Sequence, residues 1–249
     1  MVMAVFDMPG DNLVFKVIRD HFAKPKRTTR REVIAKYDFI FRHDRTGRLP
    51  DTQTFEHLKF NLGCFHPEVV DELRHTAARS VAVQGDELTL QFVYVERRVT
   101  PLDVYLQTAT PEQARAAVVD FGQAIKDMAA SNIFPGDMLI KNFGVTELGR
   151  VIFYDYDEVC PLSACRFRRQ PRAYAYEDEL ASRPWYLVEE NDVFPEEFRS
   201  FLGLKAELRD VFMEYHADIF TPEFWQASQA RIQSGRPSHL FPYRRFDPD

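Results

Sequence analysis

The chain has 249 residues, of which 45% are hydrophobic, enough for a sizeable core in one large domain or two lobes. Its formal net charge of −6 gives no electrostatic case for nucleic acid or for an anionic membrane surface. The three cysteines do not form the regular framework of a small secreted protein, no apolar run approaches the ~20 residues of a membrane span, and no signal peptide is visible, so a cytoplasmic protein is expected.

Met1-Val2-Met3-Ala4-Val5-Phe6 is strand-like from its first residue, which reads as the interior of a longer protein. With Leu13 to Ile18 it predicts a β-hairpin turning at Met8-Pro9-Gly10-Asp11. A basic cluster follows (Lys24, Lys26, Arg27, Arg30 and Arg31), best read as solvated surface, as is the later cluster Arg166, Arg168 and Arg169. Arg31 to Arg42 predicts a helix with Val33, Ile34, Tyr37 and Ile40 or Phe41 on one face. Pro50-Asp51-Thr52 breaks that pattern and reads as the start of another helix, with Asp51 as its N-cap. Ser80 to Val95 predicts a second hairpin, turning at Gln84-Gly85-Asp86.

After Val95 the pattern becomes helical. Thr110-Pro111-Glu112 is an N-cap followed by Pro at the first helical position, and Val118, Phe121, Ile125 and Met128 then repeat at helical spacing up to Ser131. A strand is predicted at Val151 to Tyr154, and helices at Glu196 to Leu202, Leu204 to Phe220 and Pro222 to Gln233, the last capped by Thr221 and stopped by Gly235. Cys160 and Cys165 could pair or bind metal, but no second Cys/His pair at zinc-site spacing lies nearby, so these and Cys64 are expected as reduced, partly buried thiols.

The chemistry concentrates after the long helix. Asp137 follows Phe134-Pro135-Gly136, which cannot be helical throughout. Asn142 comes five positions later, and Asp155 thirteen positions after that, at the end of an apolar strand. This is the spacing of a protein-kinase catalytic loop and its metal-binding aspartate. Phosphoryl transfer needs one carboxylate to orient the nucleophile, and an amide with another carboxylate to hold Mg²⁺ on the phosphates of ATP. The His-Arg that commonly precedes the kinase aspartate is replaced by Pro-Gly, which argues against regulation by activation-loop phosphorylation. Lys141 could neutralise a transferring phosphoryl group or be surface charge. Asp157 adds a second acid to the Asp155-Tyr156-Asp157-Glu158 cluster, able to serve a second metal or activate water. Lys16, inside the apolar run Leu13 to Ile18, is costly to bury without an anion; the alternative is the solvent face of an alternating strand. Glu96 falls where two kinase lobes would join, a position whose backbone would bind adenine.

The segments Asn132 to Leu139, Lys141 to Thr146, Val151 to Glu158, Asp192 to Arg199 and Val14 to Ile18 strongly resemble the isocitrate dehydrogenase kinase/phosphatase family, over essentially the whole chain. The resemblance implies a protein-kinase-like bilobal α+β fold, with a small β-rich lobe over 1–95 and a larger helical lobe over 96–249. Family members are considerably longer, so it also implies the kinase-fold, C-terminal part of such a protein, without the N-terminal regulatory domain. The family phosphorylates and inactivates NADP-dependent isocitrate dehydrogenase on a serine, reverses that step, and hydrolyses ATP, all at one nucleotide site. This control divides carbon between the citric-acid cycle and the glyoxylate bypass. Carried onto this sequence, Lys16 becomes the ATP lysine, Asn142 and Asp155 the Mg²⁺ ligands, Asp137 a catalytic acid or base and Asp157 a candidate for the phosphatase water. The family's assigned active-site aspartate lies in an Asp-Thr-Gln segment, here Asp51, which competes with the helix-cap reading. Met1 is at most the end of the family's ATP-recognition loop. The expected partners are isocitrate dehydrogenase and the adenosine nucleotides ATP, ADP and AMP. A homodimer is compatible with the resemblance. A second reading is a nucleotide-binding fragment without catalysis. A third, a metal-dependent hydrolase unrelated to kinases, is disfavoured by Lys16.

Overall fold

A computed structural model describes residues 2–8, 10–22, 28–171, 186–189 and 191–235. Met1, Pro9 of the first turn, and Lys24, Lys26 and Arg27 of the basic cluster lie outside the described residues. The fold is mixed α+β and divides into two compact units, Met1–Arg42 with Leu49–Val99, and His43–Arg48 with Thr100–Asp249. The chain thus passes into the second unit for six residues before returning to the first.

The first unit is an antiparallel sheet with two helices. Its elements are β1 (Met3–Met8), β2 (Leu13–Ile18), α1 (Arg30–His43), β3 (Thr52–Asn61), α2 (Pro67–Thr76), β4 (Val81–Gln84) and β5 (Glu87–Arg97). β5 is central. β3 pairs along it from Thr52↔Glu96 to Asn61↔Glu87, while β4 pairs its first part and β2 its last. Phe15, Val17, Leu88, Leu90, Val93 and Val95 of the sheet pack with Val70 and Leu73 of α2. Tyr37 of α1 stacks on Tyr94 of β5, ring centroids 3.9 Å apart.

The helix expected from Asp51 is not formed: the chain enters the ten-residue strand β3 at Thr52. The Pro-Asp-Thr signal was local. The strand owes its existence to the backbone ladder with β5, and as a sheet edge most of its side chains are exposed, so apolar alternation is faint. α2, absent from the helices expected above, is amphipathic. Its Pro at the first helical position and buried Val70 and Leu73 account for it.

The second unit is built around the 20-residue helix α4 (Pro111–Ala130), which follows β6 (Thr100–Pro101) and α3 (Leu102–Thr108). Thr110 caps α4 reciprocally: its hydroxyl accepts from Gln113 N–H at 3.3 Å, and its own N–H donates to the Gln113 side chain at 3.0 Å. Val118, Phe121, Ile125 and Met128, the stripe read from spacing, are fully buried. Each stabilises by about 1.5–3 kcal/mol on transfer grounds. After α4 come β7 (Ile133–Phe134), β8 (Phe143–Val145), β9 (Val151–Phe153), β10 (Cys160–Pro161), β11 (Arg166–Phe167) and β12 (Asp192–Val193). Helices α5 (Phe198–Phe201), α6 (Ala206–His216) and α7 (Pro222–Gln233) close the described part. β6, β8 and β9 form one antiparallel sheet, β7 pairs with β10, and β11 pairs in parallel with β12. Trp225 of α7 is fully buried, stacked on Phe167 and edge-on to Phe134, with its N–H donated to Ile219 O at 2.7 Å.

Arg48 ties residues 43–48 to this unit. Its guanidinium bonds Asp120 and Asp127 of α4 at 2.7–2.8 Å and Val151 O at 3.0 Å, and its carbonyl accepts from Phe153 N–H at 2.8 Å. Among the described residues, no helix is long and apolar enough to cross a membrane.

Candidate active site

In the first unit Lys16 and Glu96 form a buried ion pair, Nζ to Oε2 2.6 Å, with relative exposures of 7% and 3%. Register explains the meeting. Lys16 faces Tyr94 and Glu96 faces Val14, so the two are diagonal neighbours on one face of β2 and β5. The solvent-face alternative for Lys16 is therefore overturned: its ammonium is withdrawn from water and answered by a carboxylate. The sequence points to the Glu96 backbone alone and carries no local signal of its side-chain pairing with Lys16. Thr52, directly opposite Glu96, donates its hydroxyl to the other carboxylate oxygen at 3.0 Å. Thr52 carries no sequence signal beyond its neighbour Asp51, which sits exposed just before β3.

In the second unit the catalytic-type residues lie on the segment leaving α4 and on the hairpin that follows. α4 ends at Ser131, and Asn132 takes the left-handed conformation, φ 60°. Its backbone and side-chain oxygens accept from Leu162 N–H (3.0 Å) and Ser163 N–H (2.9 Å), which fixes the exit. Gly136 has φ 76°, and a Cβ there would lie 2.5 Å from the Glu158 carbonyl oxygen. Pro-Gly before Asp137 therefore has a structural cause: the backbone after the Asp155–Asp157 segment presses against the loop, and only glycine fits.

Asp137 and Asn142 are joined directly. The Asn142 side-chain amide donates to the Asp137 carbonyl at 3.3 Å, while Asp137 Oδ1 accepts from Leu139 N–H at 3.1 Å. Asn142 is buried, and its amide oxygen is left to accept or ligate. Asn142 immediately precedes β8, and Asp155 comes two residues after β9. Phe143 pairs with Phe153, and Tyr154 N–H donates to Asn142 O at 3.1 Å, so the hairpin brings the amide and the carboxylate to the same end. The Tyr154 hydroxyl also donates to the Lys141 carbonyl. Burial, then the Asp103 and Asp155 carboxylates, push this phenol up to about 12, so it remains a donor at neutral pH. Asp155 Oδ1 accepts from Asp157 N–H at 3.2 Å, closing a tight turn between the two acids. Lys141 is exposed.

Among the described residues no three His, Cys, Asp or Glu side chains converge as a metal-binding group. What the hairpin end offers is one amide oxygen and neighbouring carboxylates. That hard-oxygen set suits Mg²⁺, which takes one or two carboxylates and completes its shell with phosphates and water. Cys160 and Cys165 are reduced thiols whose sulfurs lie 3.5 Å apart, within hydrogen-bonding distance.

The family model described as the isocitrate dehydrogenase kinase/phosphatase (AceK) kinase domain matches residues 1–245. The isocitrate dehydrogenase kinase/phosphatase of Anaeromyxobacter sp. (strain Fw109-5) is 50% identical over 244 residues, 98% of this chain and 42% of that protein. That of Methylibium petroleiphilum is 47% identical over 243 residues, 98% of this chain and 39% of its own length. The chain thus spans about two fifths of the length of the curated relatives it matches. A solved structure, the ROP18 kinase domain in complex with AMP-PNP and sucrose, covers 89% of this chain and 72% of its own at a TM-score of 0.42 and 11% identity, a likeness too slight to add to the assignment. Because one family model matches nearly the whole sequence, the chain belongs to the isocitrate dehydrogenase kinase/phosphatase (AceK) kinase domain family.

Proposed function

We propose that this chain is the kinase part of a bifunctional enzyme that phosphorylates a serine of NADP-dependent isocitrate dehydrogenase, removes that phosphate, and so sets flux between the citric-acid cycle and the glyoxylate bypass. The observation that carries this reading is the joined set in the second unit: Asn142 bonded to Asp137 through its side chain and to Tyr154, beside Asp155, through its backbone. It is supported by the buried Lys16–Glu96 pair in the first unit and by the family to which the chain belongs.

In the forward direction Lys16, held by Glu96, binds the α- and β-phosphates of ATP. Asp137 orients the substrate serine and takes its proton as the new Oγ–P bond forms and the β–γ bridging P–O bond breaks, releasing ADP. Lys141 offsets charge on the transferring phosphoryl group. Asn142 and Asp155 would hold Mg²⁺, which when bound neutralises the phosphate oxygens. In the reverse direction Asp157 takes a proton from water as water oxygen attacks phosphorus. The serine Oγ–P bond breaks, inorganic phosphate is released, and the leaving Oγ takes a proton from Asp137 acting as the acid. Asp51 of the first unit is assigned to phosphate removal by the family reading alone, with a bound nucleotide as organiser. The pathway role, the metal and a cytoplasmic setting follow from the family reading.

The test is transfer of radiolabelled phosphate from Mg·ATP to isocitrate dehydrogenase, with Asp137→Ala beside it. Label that appears with the chain and falls by about 10²–10⁴ in the variant supports the reading. Nucleotide bound with no label transferred points instead to a nucleotide-binding fragment that needs the rest of the protein. Label undiminished in Asp137→Ala would remove Asp137 from its role.

A further inference from the structure

We propose that Cys160 and Cys165 are a thiol–disulfide switch, closed by a hydroperoxide and reopened by a dithiol, that resets the loop carrying Asp137. All the groups lie in the second unit. The two sulfurs are 3.5 Å apart in hydrogen-bond contact, and both side chains are partly exposed, so a small oxidant can reach them. A disulfide needs the sulfurs at about 2.05 Å, an approach of about 1.5 Å. The backbone around them has little slack to absorb it. The carbonyls of Leu162 and Cys165 both accept from the Gln229 side chain of α7, at 2.8 and 2.7 Å, which holds Cys165 against that helix. Cys160 of β10 lies opposite Phe134 of β7, the strand that leads into Asp137. Glu158, just before Cys160, sets its carbonyl oxygen where a Cβ on Gly136 would lie 2.5 Å away. A pull on Cys160 is therefore passed to Gly136 and Asp137.

The hydrogen bond with Cys160, then burial, pushes the Cys165 thiol up. The last proton of the pair thus stays on Cys165, and Cys160 supplies the thiolate. That thiolate attacks a peroxide oxygen: the S–O bond forms, the O–O bond breaks, and the departing hydroxide takes a proton and leaves as water. The Cys165 sulfur then attacks the Cys160 sulfur. The S–S bond forms, the S–O bond breaks, and the leaving hydroxide carries off the Cys165 proton as a second water. The two thiols lose two electrons, and the peroxide gains them. A thiolate in reach of solvent beside a resolving thiol is the arrangement a redox sensor needs.

The experiment uses the Cys64→Ser chain, so that the exposed thiol of the first unit cannot link two copies. It is treated with hydrogen peroxide and then dithiothreitol. The readouts are peptide mass spectrometry and hydrogen exchange at the amides of Asp137 and Leu139. Expected is a Cys160–Cys165 disulfide with exchange at those amides changed about fivefold or more, the low end of ordinary site coupling, and both reversed by dithiothreitol. Cys165→Ser should stop at a sulfenic acid on Cys160, trapped by dimedone, with exchange unmoved. Cys160→Ser should leave Cys165 reduced at the same dose. If serine at either position disturbs the fold, the reversible cycle in the parent chain decides. Thiols at 160 and 165 that stay open to alkylation, or a disulfide without an exchange response, overturn the switch. Phosphate transfer to isocitrate dehydrogenase should fall about 10²-fold on oxidation, the cost of roughly 1 Å of misplacement, a consequence that rests on the role proposed for Asp137. An exchange response with transfer undiminished, or no transfer even when reduced, counts against that role and leaves the switch standing.

Discussion

Lys16 and Glu96 form a buried ion pair, to which the proposed function adds a role in binding nucleotide phosphates. Breaking a buried pair by removing one partner strands the other charge and costs about 3–5 kcal/mol, whereas replacing both costs far less. Lys16→Met is therefore expected to lower stability by that amount, and Lys16→Met with Glu96→Gln to recover most of it. By the role proposed for Lys16, neither should recover ATP affinity, because the ammonium that would bind the phosphates is gone. Denaturant unfolding and calorimetric titration with ATP separate the two effects; recovery of affinity in the double variant would remove Lys16 from nucleotide binding. Gly136 is a second test at this scale. Alanine there would need a left-handed conformation and would meet the Glu158 backbone at 2.5 Å. Strain and overpacking together predict a loss of about 2–4 kcal/mol in urea melts. Phosphate transfer should fall as well, because the displaced residue is next to Asp137. Unchanged stability would mean that the loop relaxes freely.

At the scale of elements, α4 and α6 approach so closely that a Cβ at Gly122 would lie 2.1 Å from the His216 ring. The His216 ring is buried, with Nε2 2.8 Å from Val119 O, and its Nδ1 has no hydrogen-bond partner among the described residues. The carbonyl can only accept, so Nε2 carries a proton, and burial of an unpartnered Nδ1 disfavours a second one there. Burial depresses this imidazole below its ordinary value of 6.5. The sign follows: the unfolded chain takes up the proton first. The full contribution is present above about pH 6.5 and is lost as pH falls from there through the folded-state value. Thermal melts should show stability declining on acidification from pH 7 to 5, and His216→Phe should flatten that slope whatever its effect on stability at pH 8. An equal slope in both proteins would assign the acid sensitivity elsewhere. α4 itself could be read from its capping box and apolar stripe. Its pairing with α6 could not, because His216 lies 97 residues from its acceptor Val119.

At the scale of the whole molecule, the chain is two compact units, with Arg48 securing residues 43–48 to the second. Asp120 is shared: it accepts from Arg48 and from Val151 N–H at 2.7 Å, at the start of β9, which leads to Asp155. Arg48→Ala would leave Asp120 and Asp127 without their buried cation, a loss of about 3–5 kcal/mol. Amide exchange at Val151 and Phe153 should accelerate by about 10² or more, with the larger effect at these two positions than at the β2–β5 ladder of the first unit. Uniform acceleration across both units would mean that the chain opens only globally.

The chemical inventory and its order along the chain are local in sequence: an apolar run holding Lys16, a capped helix, then Asp137, Asn142 and Asp155 at kinase spacing. These were legible because a cap, a periodic stripe and a loop-plus-strand are local patterns set by neighbours in sequence. Tertiary structure alone decided that Glu96 answers Lys16, that Thr52 braces Glu96, and that the segment after Asp51 is a strand rather than a helix. It also decided that glycine must precede Asp137, since the obstructing carbonyl comes from Glu158. In each case the deciding partner lies far along the chain and is delivered by strand register or close backbone approach. Those are properties of the folded pairing, and no short stretch of sequence carries a local signature of them.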